Sequence, residues 1–214
     1  MDHTSIDIYL VIDTFLLLLI GIGPKIALVP FLELTATMGG PTKALVVRKM
    51  LITAGVTAVI LIGLGELLAR LLHFSTGSLS IAGGIILVII AVTMVLGSGD
   101  SQPSAAATGR DPMRIAVFPL AIPYLLNPAG IVMLVTISAE SNSVAVFAMV
   151  LGLLAVVLAL DVAVFRWANR VSDHLDESRM LVTEKIFGFL LAALAVQLML
   201  DGLDSLGLIH LASH

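Results

Sequence analysis

The sequence predicts an all-α membrane protein of six transmembrane helices, arranged as an inverted 3+3 repeat in which helices 1 and 4 are broken. The 214 residues are 59% hydrophobic and only 12% charged, with a mean hydropathy of +1.12, whereas soluble domains carry about 25% charged residues. Six apolar segments follow one another along the chain. Pro24 interrupts the first and Pro128 the fourth, and these two prolines lie 104 residues apart.

The apolar segments set the bounds of the predicted spans. At 1.5 Å per residue, about 20 residues cross the hydrocarbon core of a bilayer. The six spans are predicted at about residues 6–35, 44–72, 79–96, 115–139, 144–167 and 186–203. A linker of Gly, Ser, Pro and Asp at residues 98–113 divides the single transmembrane domain, residues 1–214, into two repeats at about 6–97 and 114–203.

The two halves of the chain match when one is shifted by 104 residues. The shift places Pro24 on Pro128 and Gly84 on Gly188. Each half holds three spans, an odd number, so the second half must insert upside down relative to the first. An inverted repeat with broken helices is typical of secondary transporters that work by alternating access.

The positions of Lys and Arg predict the orientation in the membrane. Nine of the eleven basic residues follow spans 1, 3 and 5, and the positive-inside rule therefore places those loops in the cytoplasm and both termini outside it. The first apolar segment lacks a basic region before it and carries Asp7 and Asp13, so it is predicted to be a mature span rather than a signal peptide. We expect a multi-pass protein of a bacterial or archaeal inner membrane.

The two proline breaks form the predicted binding site, at Gly23-Pro24-Lys25 and Asn127-Pro128-Ala129-Gly130. At each break, proline suits the first position of a new half-helix and the residue before it suits the N-cap. Two helix N-termini that meet near the midplane would favour a carboxylate or another small anion. The alternative is that each proline kinks its helix for packing alone.

Polar residues inside the spans are the remaining candidates. Thr93 and Gln197 would line the site or hydrogen-bond between helices. Lys25 costs at least about 2.5 kcal/mol at bilayer depth unless it is paired or hydrated. It is predicted to bind a substrate carboxylate, to carry protons, to snorkel to an interface, or to form a static ion pair. Its candidate ion-pair partners are Asp13, Glu33 and Asp161. Asp161, well inside span 5, is the better proton-carrying candidate.

Two groups of residues are assigned structural roles. Glu66 and Arg70 lie four residues apart near the end of span 2, a spacing that favours an interfacial ion pair on one helix. Gly83, Gly84 and Gly188 are expected to permit close approach between helices.

The sequence gives little support for a catalytic or metal-dependent function. The absence of cysteine excludes disulfides, thiol catalysis and Cys-based metal sites. No histidine lies in a predicted span, and neither HExxH nor GxSxG occurs. A GxGD string at residues 97–100 falls in the linker and is attributed to chance. We therefore expect no enzyme activity, no cofactor, no metal and no nucleic-acid partner.

Short motifs in a fixed order carry a resemblance to a known family. They are Phe31-Leu32-Glu33-Leu34-Thr35, Gly65-Glu66-Leu67, Ile81-Ala82-Gly83-Gly84, Pro119-Leu120-Ala121-Ile122-Pro123 and Gly188-Phe189-Leu190-Leu191. With these motifs, nearly the whole chain resembles the MarC/SnatA family of six-span membrane proteins. The resemblance implies a transporter-like protein, since a few members are associated with neutral amino acids such as glycine and alanine. Members usually carry Asn-Pro at the first break and Gly-Pro-Gly at the second, whereas here the asparagine stands at the second break.

These features predict a secondary transporter of small polar solutes, neutral amino acids of the glycine and alanine type by the resemblance, with alternating access about a midplane site. H⁺ or Na⁺ is the expected coupling ion, and the sequence leaves homo-oligomer formation in the lipid bilayer open. A passive small-solute channel on the same repeat is the main alternative. A membrane enzyme acting on lipid-linked substrates is a further alternative, for which the sequence offers no convergent acid and base.

Overall fold

A computed structural model of the chain describes residues 8–96, 111–140, 143–171 and 177–209. Within these ranges the chain forms eight α-helices and one π-helical segment. The helices are α1 (Ile8–Gly21), α2 (Pro24–Leu34), α3 (Gly40–Leu72), α4 (Thr76–Leu96), α5 (Pro112–Ile115), α6 (Pro128–Glu140), α7 (Val144–Val171) and α8 (Glu177–Ser205). The π-helical segment, Ala116–Leu125, connects α5 to α6. Most of the predicted linker, residues 98–110, lies outside the described residues.

Among the described residues, four helices are long and apolar enough to cross a membrane, namely α3, α4, α7 and the part of α8 from Lys185 to Ser205. They correspond to predicted spans 2, 3, 5 and 6. The other two predicted spans are divided into shorter apolar pieces, as their prolines indicated. Span 1 is divided between α1 and α2, and span 4 between the π-helical segment and α6.

Helices α4 and α8 form the most extensive helix pair and run antiparallel. A Cβ atom added at Gly84 would lie 2.8 Å from the carbonyl oxygen of Ala195, and one at Gly188 would lie 3.2 Å from the carbonyl oxygen of Ala91. The backbones therefore approach as closely as the sequence predicted for these glycines. At one end of the pair, the ammonium group of Lys185 donates to the last turn of α4.

The other helices pack around α3 and the two broken spans. At Gly65, α3 approaches α6 so closely that an added Cβ atom would lie 3.0 Å from the Cα atom of Val135. One turn from Val135, the Ser138 hydroxyl accepts a hydrogen bond of 3.0 Å from the amide of Glu66. The Glu66 carboxylate also forms the predicted ion pair with Arg70, which is confirmed on the exposed face of α3.

The first half of span 4 differs from the expected half-helix. Phe118 (φ −138°, ψ 122°) and Ile122 (φ −134°, ψ 123°) are extended within the π-helical segment, and each precedes a cis-proline. The physical reason is local, because proline pushes the residue before it away from the helical region and supplies no amide for a helical hydrogen bond. With Pro119 and Pro123 four residues apart, a regular α-helix cannot form.

Candidate functional site

The two breaks contact each other directly. Ile22 and Leu126 form an isolated antiparallel β-bridge. Two backbone hydrogen bonds flank it, from the amide of Gly23 to the carbonyl of Leu125 (3.3 Å) and from the amide of Asn127 to the carbonyl of Gly21 (3.1 Å). We call residues 21–23 and 125–127 the crossing. Its hydrogen bonds satisfy backbone groups that the breaks remove from helices and that lipid cannot satisfy.

Two glycines make this close contact sterically feasible. A Cβ atom at Gly130 would overlap the carbonyl oxygen, carbonyl carbon and Cα atom of Gly21. Reciprocally, a Cβ atom at Gly21 would overlap the Cα atom of Gly130. Both obstacles are backbone atoms, which cannot rotate away as the end of a side chain can. The crossing therefore requires glycine on both sides.

Asn127 joins the two broken spans with its side chain. Its Oδ1 atom accepts a hydrogen bond of 2.9 Å from the amide of Gly130, so the predicted N-cap of α6 is present. Its Nδ2 atom donates a hydrogen bond of 2.9 Å to the carbonyl of Ile20 in the other broken span. The residue is only 1% exposed. One buried amide group thus caps a half-helix and links it to the end of α1.

The N-terminus of α2 is capped differently from that of α6. Gly23 occupies the N-cap in an extended conformation and supplies no side chain, and Pro24 follows at the first helical position. The amides of the first turn of α2 therefore receive no side-chain acceptor from the cap. The two half-helix N-termini therefore differ, since the side chain of Asn127 caps α6 and no cap side chain is present at α2.

Lys25 lies in the first turn of α2 and is half-buried. In the described part of the chain, its ammonium group forms no hydrogen bond and no ion pair. The carboxylate of Asp13, one of its predicted partners, is on an exposed residue, and that of Asp161 is buried and unpartnered among the described residues. The static ion pair, one of the alternatives predicted for Lys25, is therefore absent from the described structure.

Asp161 is the most deeply buried ionisable residue near the broken spans. It is 0% exposed, and neither carboxyl oxygen has a hydrogen-bond partner among the described residues. Phe165, one turn further along the same face of α7, packs edge-to-face on Phe31 of α2 with ring centroids 5.2 Å apart. The face of α7 that carries Asp161 is thus turned toward the half-helix that begins at Pro24.

Thr93 and Gln197 do not reach the crossing. Both are exposed on the outer surface of the α4–α8 pair. The Thr93 hydroxyl donates to the carbonyl of Ile90 (2.7 Å), and the Gln197 amide donates to the Asp201 carboxylate (2.7 Å). The expectation that they line a site between the breaks is corrected by this placement, because each side chain is satisfied within its own helix.

The sequence interpretation missed two contributors to the crossing. Gly21 was not among the candidate site residues, and the Ile22–Leu126 bridge was not expected. One signal was available, since Ile22 and Leu126 are related by the same 104-residue shift as the prolines.

The fold and the crossing define the class of this protein. It is an integral membrane protein of several apolar helices, in which two further apolar segments break and bond to each other at the breaks. The chain belongs to the MarC family, because the model of MarC family integral membrane proteins matches residues 8–206. The resemblance deduced from the motifs is confirmed.

Relatives occur in both archaea and bacteria. The UPF0056 membrane protein MJ1677 of Methanocaldococcus jannaschii is 28% identical over 188 residues, which are 85% of this chain and 90% of the relative. YvbG of Bacillus subtilis is 26% identical over 194 residues (88% and 92%). The UPF0056 inner membrane protein YhgN of Escherichia coli is 29% identical over 165 residues (75% and 79%). No solved structure matches the chain. The relatives' names specify a membrane location and no substrate.

Proposed function

We propose that this protein is a secondary transporter of small polar solutes in the cytoplasmic membrane, and that it exposes a site beside the crossing alternately to either side. The main observation behind this proposal is the position of Lys25. It is half-buried, forms no ion pair or hydrogen bond with a described residue, and lies in the first turn of a half-helix without a side-chain cap. The amides at a helix N-terminus and an ammonium group together favour a carboxylate. A neutral amino acid carries such a group, and the family resemblance favours this substrate class.

Reciprocal contacts support an inverted repeat, an architecture that many transporters use for alternating access. Contacts related by a two-fold axis occur in exchanged pairs. A shift of 104 residues converts Ile22 into Leu126, its own partner in the antiparallel bridge. The same shift relates two contacts of the α4–α8 pair, that of Gly84 with the carbonyl of Ala195 and that of Gly188 with the carbonyl of Ala91.

Asp161 is our candidate for coupling transport to H⁺ or Na⁺. An unpaired carboxylate charge inside a membrane protein is strongly unfavourable unless a cation or proton compensates it. Residues of this kind inside membrane segments commonly mark ion or proton pathways. The face of α7 that carries Asp161 packs toward α2, the half-helix that carries Lys25. The substrate and the coupling ion would therefore bind next to the same half-helix, α2.

Replacing Lys25 tests the proposed substrate site. A ligand at 100 times its dissociation constant stabilises its protein by about 2.7 kcal/mol, and we expect glycine or alanine to raise the melting temperature of the purified protein. Lys25→Ala should remove most of this rise, because the carboxylate loses its ammonium partner. Arg70→Ala is the control, since Arg70 is an exposed cation paired with Glu66. A rise that persists in Lys25→Ala would contradict the proposed role.

Replacing Asp161 separates coupling from binding. In proteoliposomes, Asp161→Asn is expected to retain exchange of labelled substrate between the two sides but to lose accumulation driven by a proton or sodium gradient. The amide keeps the volume of the side chain and cannot carry a charge. Undiminished gradient-driven accumulation in the variant would refute the coupling role. A solute flux that does not saturate and shows no exchange would instead favour a passive channel.

A further inference from the structure

A long groove lies between α3 and α7 on the outer surface of the protein. It consists of two adjoining cavities of about 650 and 530 Å³. Three residues, Leu51, Ile52 and Val162, line both cavities, so the two form one continuous groove. The larger cavity is lined only by apolar residues and glycine.

Small residues create the groove. Gly55 lets Leu158 of α7 pack against the backbone of α3 at the floor of the groove, since an added Cβ atom would lie only 2.9 Å from the end of Leu158. Across from it, Ala155 and Ala159 line the same cavity on α7. Both alanines are exposed, so the groove opens toward the surrounding lipid.

The smaller cavity gives the groove a cationic end. Arg48 of α3 and Arg166 of α7 line it. Both arginines are exposed, and neither forms an ion pair with a described residue. Trp167, next in sequence, is 62% exposed, as is typical of an aromatic residue at a membrane interface. This end of the bundle is the one that the distribution of basic residues assigns to the cytoplasm.

The dimensions of the groove match one lipid chain. From Arg48 to Ile60 along α3 the groove extends about 18 Å, and from Leu151 to Arg166 along α7 about 22 Å, at 1.5 Å per residue. One leaflet contributes about 15 Å to the hydrocarbon core. An acyl chain that enters from the arginine end therefore reaches the bilayer midplane within the groove.

We propose that this groove binds one anionic phospholipid of the cytoplasmic leaflet, with the phosphate between Arg48 and Arg166 and one acyl chain along the apolar part. Guanidinium groups bind phosphate through paired hydrogen bonds. The cytoplasmic leaflet is rich in anionic lipids, which attract basic residues near its surface. A second copy of this chain would fit less well, since symmetric packing on this face would bring its two unpaired arginines toward those of its partner.

Native mass spectrometry with defined lipids tests the proposal. We expect the purified protein to retain one phosphatidylglycerol molecule per chain in preference to phosphatidylcholine. The double variant Arg48→Gln, Arg166→Gln should weaken phosphatidylglycerol binding at least about tenfold, since each basic residue near the surface contributes appreciably. Arg170→Gln is the matched control, because Arg170 is an exposed arginine on the same stretch of α7 that lines neither cavity.

A second pair of variants tests the acyl-chain part without altering charge. Ala155→Phe should fill the groove from an exposed position and displace the lipid. Val156→Phe, on the lipid-facing surface beside the groove, should leave the lipid bound. Equal retention of the two lipids, or unchanged binding in the double arginine variant, would overturn the proposal. A dimer that excludes the lipid, and that dissociates in the Ala155→Phe variant, would also overturn the proposal.

Discussion

Gly130→Ala is expected to destabilise the folded protein by about 3 kcal/mol or more, the upper end of the usual cost of overpacking. The added methyl group would overlap three backbone atoms of Gly21. Backbone atoms on a hydrogen-bonded crossing cannot yield without breaking the bonds from Gly23 and Asn127 that hold it. Thermal unfolding of the purified protein in detergent measures the loss, and Gly21→Ala should give a similar one.

Gly63→Ala is the matched control for this effect. Gly63 lies inside α3, and an added Cβ atom there would meet nothing within 4 Å. Replacing glycine by alanine in a helix then gains up to about 1 kcal/mol of helix propensity. The same chemical change is therefore expected to stabilise at one site and destabilise at the other. If Gly130→Ala unfolds at the temperature of the wild-type protein, the two breaks do not touch as described.

The long helices and the positions of the breaks could be predicted from the sequence because they depend on local chemistry. An apolar run long enough to cross a membrane and free of internal proline favours a helix, because every backbone amide there needs a partner. Proline after glycine or asparagine marks a helix start for equally local reasons. The cap at Asn127 and the end of α1 just before Pro24 follow from these rules.

The contacts between helices could not be predicted in the same way. The 104-residue shift also equates Thr93 with Gln197, but antiparallel packing of α4 and α8 places equivalent residues at different depths. Leu198 contacts the site of Gly83, so Gln197 lies near that level. Thr93 is ten residues further along α4, or about 15 Å away. In the proposed inverted repeat, equivalent residues meet only where the axis of the repeat passes between them, as Ile22 and Leu126 do in their bridge.

Asn127→Ala is expected to destabilise the protein by about 2 to 4 kcal/mol. Loss of an N-cap costs about 1 kcal/mol, and the part-buried carbonyl of Ile20 would lose its donor, which costs a further 1 to 3 kcal/mol. Asn127→Ser should recover the cap, because a hydroxyl group can also accept a hydrogen bond from the amide of Gly130. The serine side chain is too short, however, to replace the hydrogen bond to the carbonyl of Ile20. The serine variant should therefore fall between alanine and wild type.

The control for Asn127 is a cap that makes no contact with another span. Ser143 precedes α7 and accepts a hydrogen bond of 3.3 Å from the amide of Ala145 on an exposed surface. Ser143→Ala is expected to cost about 1 kcal/mol or less. The difference between the two alanine variants measures what the bond across the crossing contributes. Equal costs would mean that Asn127 acts only as a cap, and the stability of the crossing would then depend on its backbone bonds and its two glycines.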